Sequence, residues 1–377
     1  MSSVGRTRPM IRLSLSIGVA LGLVACSATP QASTPPATSS LGQSSSTPSA
    51  SPGNSASPSG SGGSAVVLPT PEVAQVKLGI LNATTNHDVD VAIEDGLFAK
   101  NGLTVTYQVF TSESSMVQAL LAGQIDVIGA TGVSETIGSQ KTNSPLVIGM
   151  VMEDNITDNL YTSKNVKTAQ DLKGKSIAIS SFGSSVYGEA LIMVKALGLS
   201  SSDVTITPIG DDAARRAALA AGTVAGSLND RGEAAQMTAA GFNVLLPGSQ
   251  LTTGLPTGAE ITTRAYAQTN PNTVLAVVAS LIEGLHSFLT NPADAAQAQA
   301  KLWSIDLATA TTNVQADLPG WTPQNGRPSL ADFQAAQALF VKTDPSLASV
   351  DVSQAITTQF VDQLKSLGWY QANGITP

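Results

Sequence analysis

Cysteine occurs once in this chain, at Cys26, and histidine twice, at His87 and His286. There is no partner for an internal disulfide and no thiolate set for a structural zinc or an iron–sulfur cluster. Neither histidine has another four residues on, which excludes a zincin helix, and no metal or other cofactor is implied. Charge is scarce as well: 12% of residues are charged, about half the usual share, with a net charge of −8 and no cluster of five Lys or Arg. A surface that neutralises phosphates is therefore excluded, and nucleic acid with it. What remains is 42% apolar residues in 377, with 33 glycines and 20 prolines. That is enough to bury two globular lobes or one large domain.

The first 25 residues read as an address. Arg6, Arg8 and Arg12 precede an apolar run from Leu13 to Ala25, the pattern of a secretory signal and too short for a comfortable membrane span. The run ends Leu23-Val24-Ala25-Cys26, which resembles the bacterial lipobox, whose cysteine is diacylglyceryl-modified and becomes the new N-terminus. An ordinary signal peptide with a chance cysteine is the plainer reading. Removal of the three arginines takes the net charge from −8 to −11. From Ser27 to Thr70 no residue is charged, and the Ser, Thr, Pro, Gly and Ala composition cannot form a core. Residues 26–73 are therefore expected to be a flexible tether between lipid and body.

The periodicity changes at Ala74. Val76, Leu78 and Ile80 alternate as a strand, and Val89, Ala92, Ile93 and Leu97 recur at helical spacing up to Gly102. Val105, Tyr107 and Val109 form a second strand, Met116 to Leu120 a helix stopped by Gly123, and 125–129 a short apolar strand suited to burial on both faces. A similar succession returns about a hundred residues later, with strands at 176–180 and 224–228, helices at 186–197 and 213–221, and extended chain at 204–208. Ala119-Leu120-Leu121-Ala122-Gly123 is echoed by Ala218-Leu219-Ala220-Ala221-Gly222 at the same point of the order, which points to two α/β lobes of one plan. After Pro256 the chain reads as helices clad on those lobes, starting at Asn270-Pro271, Asn291-Pro292 and Ser329, with a last one carrying Phe360, Val361 and Leu364. The expected lobes are 74–160 plus 258–377, and 161–257.

Three segments, Glu94 to Val105, Ala119 to Val127 and Asp171 to Ala178, resemble successive signatures of the nitrate/sulfonate/taurine-type substrate-binding proteins of ABC importers, which include binders of thiamine-pyrimidine precursors. The likeness runs from Ala74 to about Gly368. It implies an α/β, two-lobed type 2 periplasmic-binding protein fold with two crossovers and C-terminal helices. It further implies a small-molecule ligand, an ABC permease with its ATPase as partner, and no enzymatic step. The membrane would be met through the lipid anchor only, and a monomer is expected. Thr223-Val224-Ala225-Gly226 departs from the pattern, which has Asp after Val; the first lobe keeps it as Asp126. The Cys-rich motif of the fungal branch that makes thiamine pyrimidine is absent.

In open parallel sheets ligands sit beyond the carboxyl ends of the strands. That rule selects four loops: 82–88, 130–134, 181–186 and 229–231. Ser181, Phe182, Gly183, Ser184 and Ser185 either cradle an anion at a helix N-terminus, with Phe182 as a wall, or simply cap that helix. Arg231 either pairs with a sulfonate or carboxylate or is neutralised by Asp230 and Glu233, and Asp230 could instead hold an amine-bearing ligand. His87 either donates to the ligand or is a solvated loop histidine, while Asn86, Thr131, Gly132 and Asn229 are candidates by position. His286 reads as a surface or packing residue, and Trp303, Trp321 and Trp369 as core or loop anchors. Enzyme readings fare worse. Gly174-Lys175-Ser176 lacks the earlier glycine of a phosphate loop and precedes a strand, and no Gly-x-Ser-x-Gly elbow occurs. A lipoprotein hydrolase and a solute sensor for a membrane receptor stand as alternatives to import.

Overall fold

The computed structural model describes residues 66–82, 86–129, 133–153, 155–251, 253–318, 321, 325–342 and 344–377. The expected leader, Cys26, most of the tether, and Thr131 and Gly132 lie outside them. The first lobe opens with β1 (Gln75–Leu81), α1 (His87–Glu94), α2 (Leu97–Lys100), β2 (Thr104–Phe110) and α3 (Glu113–Leu121). It continues with β3 (Val127–Gly129), α4 (Val133–Ser139) and β4 (Leu146–Glu153). The second runs through β5 (Asp158–Thr162), β6 (Ser176–Ile179), α5 (Ser185–Ala196), β7 (Thr205–Pro208), α6 (Asp212–Ala220), β8 (Gly226–Asp230), α7 (Ala234–Ala239) and β9 (Asn243–Leu246). The chain then returns through β10 (Gly258–Thr263) and α8 (Arg264–Thr269). It ends in α9 (Pro271–Thr290), α10 (Pro292–Trp303), α11 (Leu307–Asp317), α12 (Leu330–Phe340), α13 (Gln359–Ser366) and α14 (Trp369–Ala372).

Two five-stranded sheets result, ordered β2-β1-β3-β10-β4 and β7-β6-β8-β5-β9. In each, the first three strands are parallel and the fourth is antiparallel to both neighbours. That fourth strand is the one that enters from the other lobe: β5 follows β4 into the second sheet, and β10 follows β9 back into the first. The two crossovers therefore give both lobes the same plan and bring the carboxyl ends of their parallel strands to one seam. The expected lobe boundary at 160/161 runs through β5, all of which belongs to the second sheet.

The repeated Ala-Leu-x-Ala-Gly segments form the same helix end twice. Gly123 (φ 69°) and Gly222 (φ 72°) take the left-handed conformation after α3 and α6, and the next N–H returns to Ala119 O and Ala218 O. Asp126 Oδ2 accepts the Lys77 N–H at 2.8 Å beside β1, an exposed local bond that Ala225 cannot make in the second lobe. The missing aspartate thus costs one edge contact and leaves the seam untouched.

Four features differ from the sequence-based expectation. Gly96 (φ 68°) divides the expected helix over 89–99 into α1 and α2. β10 is a strand where helix was expected; Glu260, wholly buried at its centre, interrupts the apolar pattern that would have announced it. α9 is core rather than cladding: it has the length and apolarity of a membrane span, but most of its side chains are buried in the first lobe. Finally, the body starts before residue 73. Val66 and Leu68 pack on the core, and Glu72 accepts the N–H groups of Asn272 (3.1 Å) and Thr273 (2.9 Å), capping α9.

α12 packs against α4 of the first lobe and α5 of the second, with Phe340 over Gly188 and Tyr187. α1 lies against α9 and α10 and is buried over six consecutive residues, His87 to Ala92. Its closest approach is at Gly284, where an added Cβ would stand on the Asp88 carbonyl oxygen, far inside van der Waals contact. Gly284→Ala is expected to lower stability by about 3 kcal/mol through forced separation of α1 and α9. A urea midpoint within error of wild type would refute this close packing.

Candidate functional site

The seam encloses a cavity of about 70 Å³, lined from both lobes and both crossovers. From the first lobe come Leu81 and Asn82 at the end of β1, Asn86 and Asp88 at the start of α1, Thr111 to Glu113 between β2 and α3, and Gly129 closing β3. The second lobe contributes Ser180 after β6, Ser185 and Val186 opening α5, Asp211 and Asp212 opening α6, Arg215 one turn on, and Asp230 ending β8. Met152, Thr157, Asp158, Thr257 and Gly258 come from the crossovers, and Trp321 from the C-terminal region. The local reason is common to both lobes: each parallel strand runs into a helix whose cap faces the seam. Ser112, Ser184 and Asp211 cap α3, α5 and α6 through bonds from the N–H groups of Ser115, Tyr187 and Ala214.

Hydrogen bonds cross the seam. Ser185 donates its N–H and its hydroxyl to Glu113 at 3.1 and 3.0 Å, Asn82 Nδ2 donates to Asp211 at 3.1 Å, and the Ser114 hydroxyl donates to Ser181 Oγ at 3.1 Å. The lobes are therefore closed on one another. The N-terminus of α5 does receive a carboxyl group, and it is the protein's own Glu113.

The walls are acidic. Asp88, Glu113, Asp158, Asp211, Asp212 and Asp230 face one cation among the described lining residues, Arg215. Arg215 donates Nε to Leu228 O (2.6 Å), Nη1 to Gly210 O (2.7 Å) and Nη2 to Asp212 Oδ1 (2.5 Å). Burial pushes the Glu113 carboxyl up to about 8 and that of Asp88 up to about 7. Burial likewise raises Glu189, which stands behind Thr157 and Asp158 and accepts their N–H groups, to about 7. Asp212 rises to about 6, burial outweighing the attraction of Arg215. Asp158 is held well above the usual carboxylate range, by burial first and then by Glu189 and Asp230.

Of the residues singled out in the sequence, Asn86, Ser185 and Asp230 line the cavity. Ser184 is the helix cap, and Ser181 takes part in the cross-lobe bond to Ser114. Asn229 lies one layer beneath, donating to Asp212 O (2.9 Å) and Glu233 Oε2 (3.0 Å). Phe182 is 55% exposed, stacks edge-on to Tyr187 outside the cavity, and is no wall for a ligand there. Gly183 is outside as well, set against the Glu135 carboxylate.

His87 and Arg231 turn into the first lobe's core and do not line the cavity. His87 Nε2 lies 3.0 Å from Asp317 Oδ2, with both side chains fully buried, and its ring stacks on Phe288 at 4.6 Å. Arg231 donates to Ile156 O at 2.9 Å and has Nε 3.8 Å from Asp317 Oδ1. Thr131 and Gly132 are outside the described residues. Sequence reasoning did not single out Asp88, Asp158, Ser180 or Arg215; Trp321, read as a core or loop anchor, does pack in the core and also reaches the cavity. Ser180 follows β6 directly, and the strand-end rule would have found it.

The profile of the family described as NMT1/THI5 like matches residues 85–295. The taurine-binding periplasmic protein of Escherichia coli K12 is 26% identical over 310 residues, covering 76% of this chain and 93% of that protein. Among solved structures, the alkanesulfonate-binding protein SsuA from Xanthomonas axonopodis pv. citri, bound to MOPS, superposes with a TM-score of 0.64 at 23% identity, over 76% of this chain and 99% of that one. The periplasmic nitrate-binding protein NrtA from Synechocystis PCC 6803 does so at 0.63 and 14%, over 81% and 90%. The fold is thus that of periplasmic binding proteins, with two sheets and crossovers as described.

The raised carboxyl pKa values fix a pH dependence. In the unfolded chain these groups titrate near 4, whereas the native cleft keeps their protons to higher pH. The stability so contributed is complete below about pH 4 and is lost as pH rises through the range of about 6 to 8. The calorimetric midpoint of the ligand-free protein is therefore expected to fall between about pH 5.5 and about pH 8.5. A rising midpoint over that interval would mean that the buried carboxylates are compensated as anions.

Proposed function

Since this chain belongs to the NMT1/THI5-like family, we propose that it is the extracytoplasmic solute-binding protein of an ABC importer, which captures a small molecule between its lobes and presents the closed form to a permease. The observation that carries this reading is the cavity at the seam, where polar side chains from both lobes and both crossovers converge while direct bonds such as Glu113–Ser185 hold the lobes together. A solute there touches both lobes only when they are closed, so its binding energy favours closure, and the permease can distinguish loaded from empty. The reading assigns no covalent step to the site. The taurine-binding relative supports a small polar organic solute as the class. The leader and lipobox support export and anchoring through Cys26, with the uncharged segment after it letting the body reach the permease.

Thermal-shift screening of the purified protein against sulfonates, nitrate, taurine, aminopyrimidines and small amines, joined to native mass spectrometry, tests the reading. A solute at about one hundred times its Kd is expected to stabilise by about 2.7 kcal/mol. Turnover of a model ester or glycoside without any such stabilisation would replace the reading with the hydrolase. Cys26→Ala is expected to move the protein from the membrane fraction to the soluble exported fraction while leaving the solute response intact. Retention in the membrane fraction would show another anchor.

A further inference from the structure

The electrostatics of the cavity narrow the solute class. Glu113 is satisfied by Ser185, Asp211 by the Ala214 N–H (2.9 Å) and Asn82, and Asp212 by Arg215 and the Asp230 N–H (3.1 Å). Two lining carboxylates are not satisfied. Asp88, 2% exposed, has Oδ2 without a hydrogen-bond partner, and Asp158, fully buried, has neither oxygen hydrogen-bonded, with Arg215 Nη2 only as near as 3.8 Å. Independently of the acids, two other buried lining groups lack a partner, the Ser180 hydroxyl and the Trp321 indole N–H. A desolvated carboxylate without a hydrogen bond costs several kcal/mol unless something compensates it.

For an anion the described walls offer two unpartnered donors, the Ser180 hydroxyl and the Trp321 indole N–H, but no positive charge that is not already paired. The positive charge of Arg215 is already paired, with Nη2 2.5 Å from Asp212 Oδ1 and 3.8 Å from Asp158 Oδ2, and the α5 N-terminus is taken by Glu113. The flanking segments 83–85 and 130–132 contain only Ala, Thr and Gly, so they bring no positive charge. Among the described residues no group of three or more His, Cys, Asp or Glu has the arrangement to hold a metal ion. The indole of Trp321 suits the flank of a desolvated organic cation.

We propose that the cavity is built for a small organic cation, an amine, amidine or guanidine, whose protonated nitrogen lies between Asp88 of the first lobe and Asp158 of the second. The inference rests on the solute-binding reading. It also supplies that reading with a closing force: the nitrogen satisfies one carboxylate from each lobe, so neither lobe alone compensates its charge. An acidic group on the same solute, as in a zwitterion, lies away from these two carboxylates.

The test uses the full chain at about pH 8 as wild type, Asp88→Asn and Asp158→Asn. The probes are 1,4-diaminobutane, agmatine, ethanesulfonate and nitrate, together with a bacterial small-molecule extract split by ion exchange into cationic, anionic and neutral fractions. The cationic fraction is expected to raise the wild-type thermal midpoint. Each Asn variant, with a ligand-free midpoint at or above that of wild type because a buried charge is gone, is expected to need roughly thirtyfold or more of the same fraction for the same shift. A shift from the anionic or neutral probes and fractions alone, or a cationic shift unchanged in both variants, overturns the cation assignment and leaves solute binding standing. No shift from any probe or fraction overturns both.

Discussion

The closed state depends on a carboxylate taken out of water at the seam. Glu113 belongs to the first lobe, yet both of its oxygens accept bonds from Ser185, the first residue of a helix in the second. Burial disfavours the charged form of this carboxyl group and pushes its pKa up to about 8. The free N–H groups and dipole at the start of α5 offset part of that burial penalty, but only when the lobes meet in register. The helix N-terminus therefore serves as a receptor for the opposite lobe. A solute has to be recognised by what is left over, and what is left over is acidic.

The duplicated topology explains why so much charge can be brought to one place. Each parallel strand delivers its last residues, and the first turn of the following helix, to the same side of its sheet, and the antiparallel crossover strands turn those sides toward each other. Asp88, Glu113, Asp211 and Asp230 all occupy such strand-end positions, and Asp158 starts the crossover strand itself. α12 adds a constraint of its own. By packing Phe333 and Phe340 into a core cluster that continues from one lobe into the other, it limits the opening motion to one that keeps or slides those contacts.

Much of this architecture was legible in the chain. The alternation of Val76, Leu78 and Ile80, the two glycine-stopped helices and the recurrence of the whole succession a hundred residues apart are local patterns, and local patterns survive without coordinates. β10 was not legible, because its central Glu260 is buried in a way that only the surrounding sheet permits. The site was half legible. Three of the four selected loops contribute to the cavity, through Asn86, Ser185 and Asp230, whereas the lining segments 111–113 and 211–212 were not among them. Which residue of a loop faces the cleft depends on a rotation of about 100° per residue along a helix, and His87 and Asp88 show the result: the first turns into the core and the second into the cavity. Trp321 is the core or loop anchor that the sequence suggests, packed on Phe288, and its second contact with the seam is what the sequence could not show.

The buried His87–Asp317 contact gives that rotation a cause. His87 opens α1 and is clamped between Phe288 of α9 and Asp317 at the end of α11, while Arg231, directly after β8 in the second lobe, approaches the same aspartate. With His87 so fixed, the next residue cannot turn into the core and must present its carboxylate to the seam. Trp303 of α10 fixes the helix two residues further on by donating its indole N–H to Asp90 at 3.0 Å. Asp88 thus lies between two anchored residues of the same helix, His87 and Asp90, and Gly284 of α9 lies close against its carbonyl. A side chain held this firmly, with an oxygen left unpartnered, gains a partner without any rearrangement of its backbone, and such preorganisation lowers the cost of binding. Arg231 extends the same frame across the lobes, so the scaffold that orients Asp88 is complete only in the closed molecule.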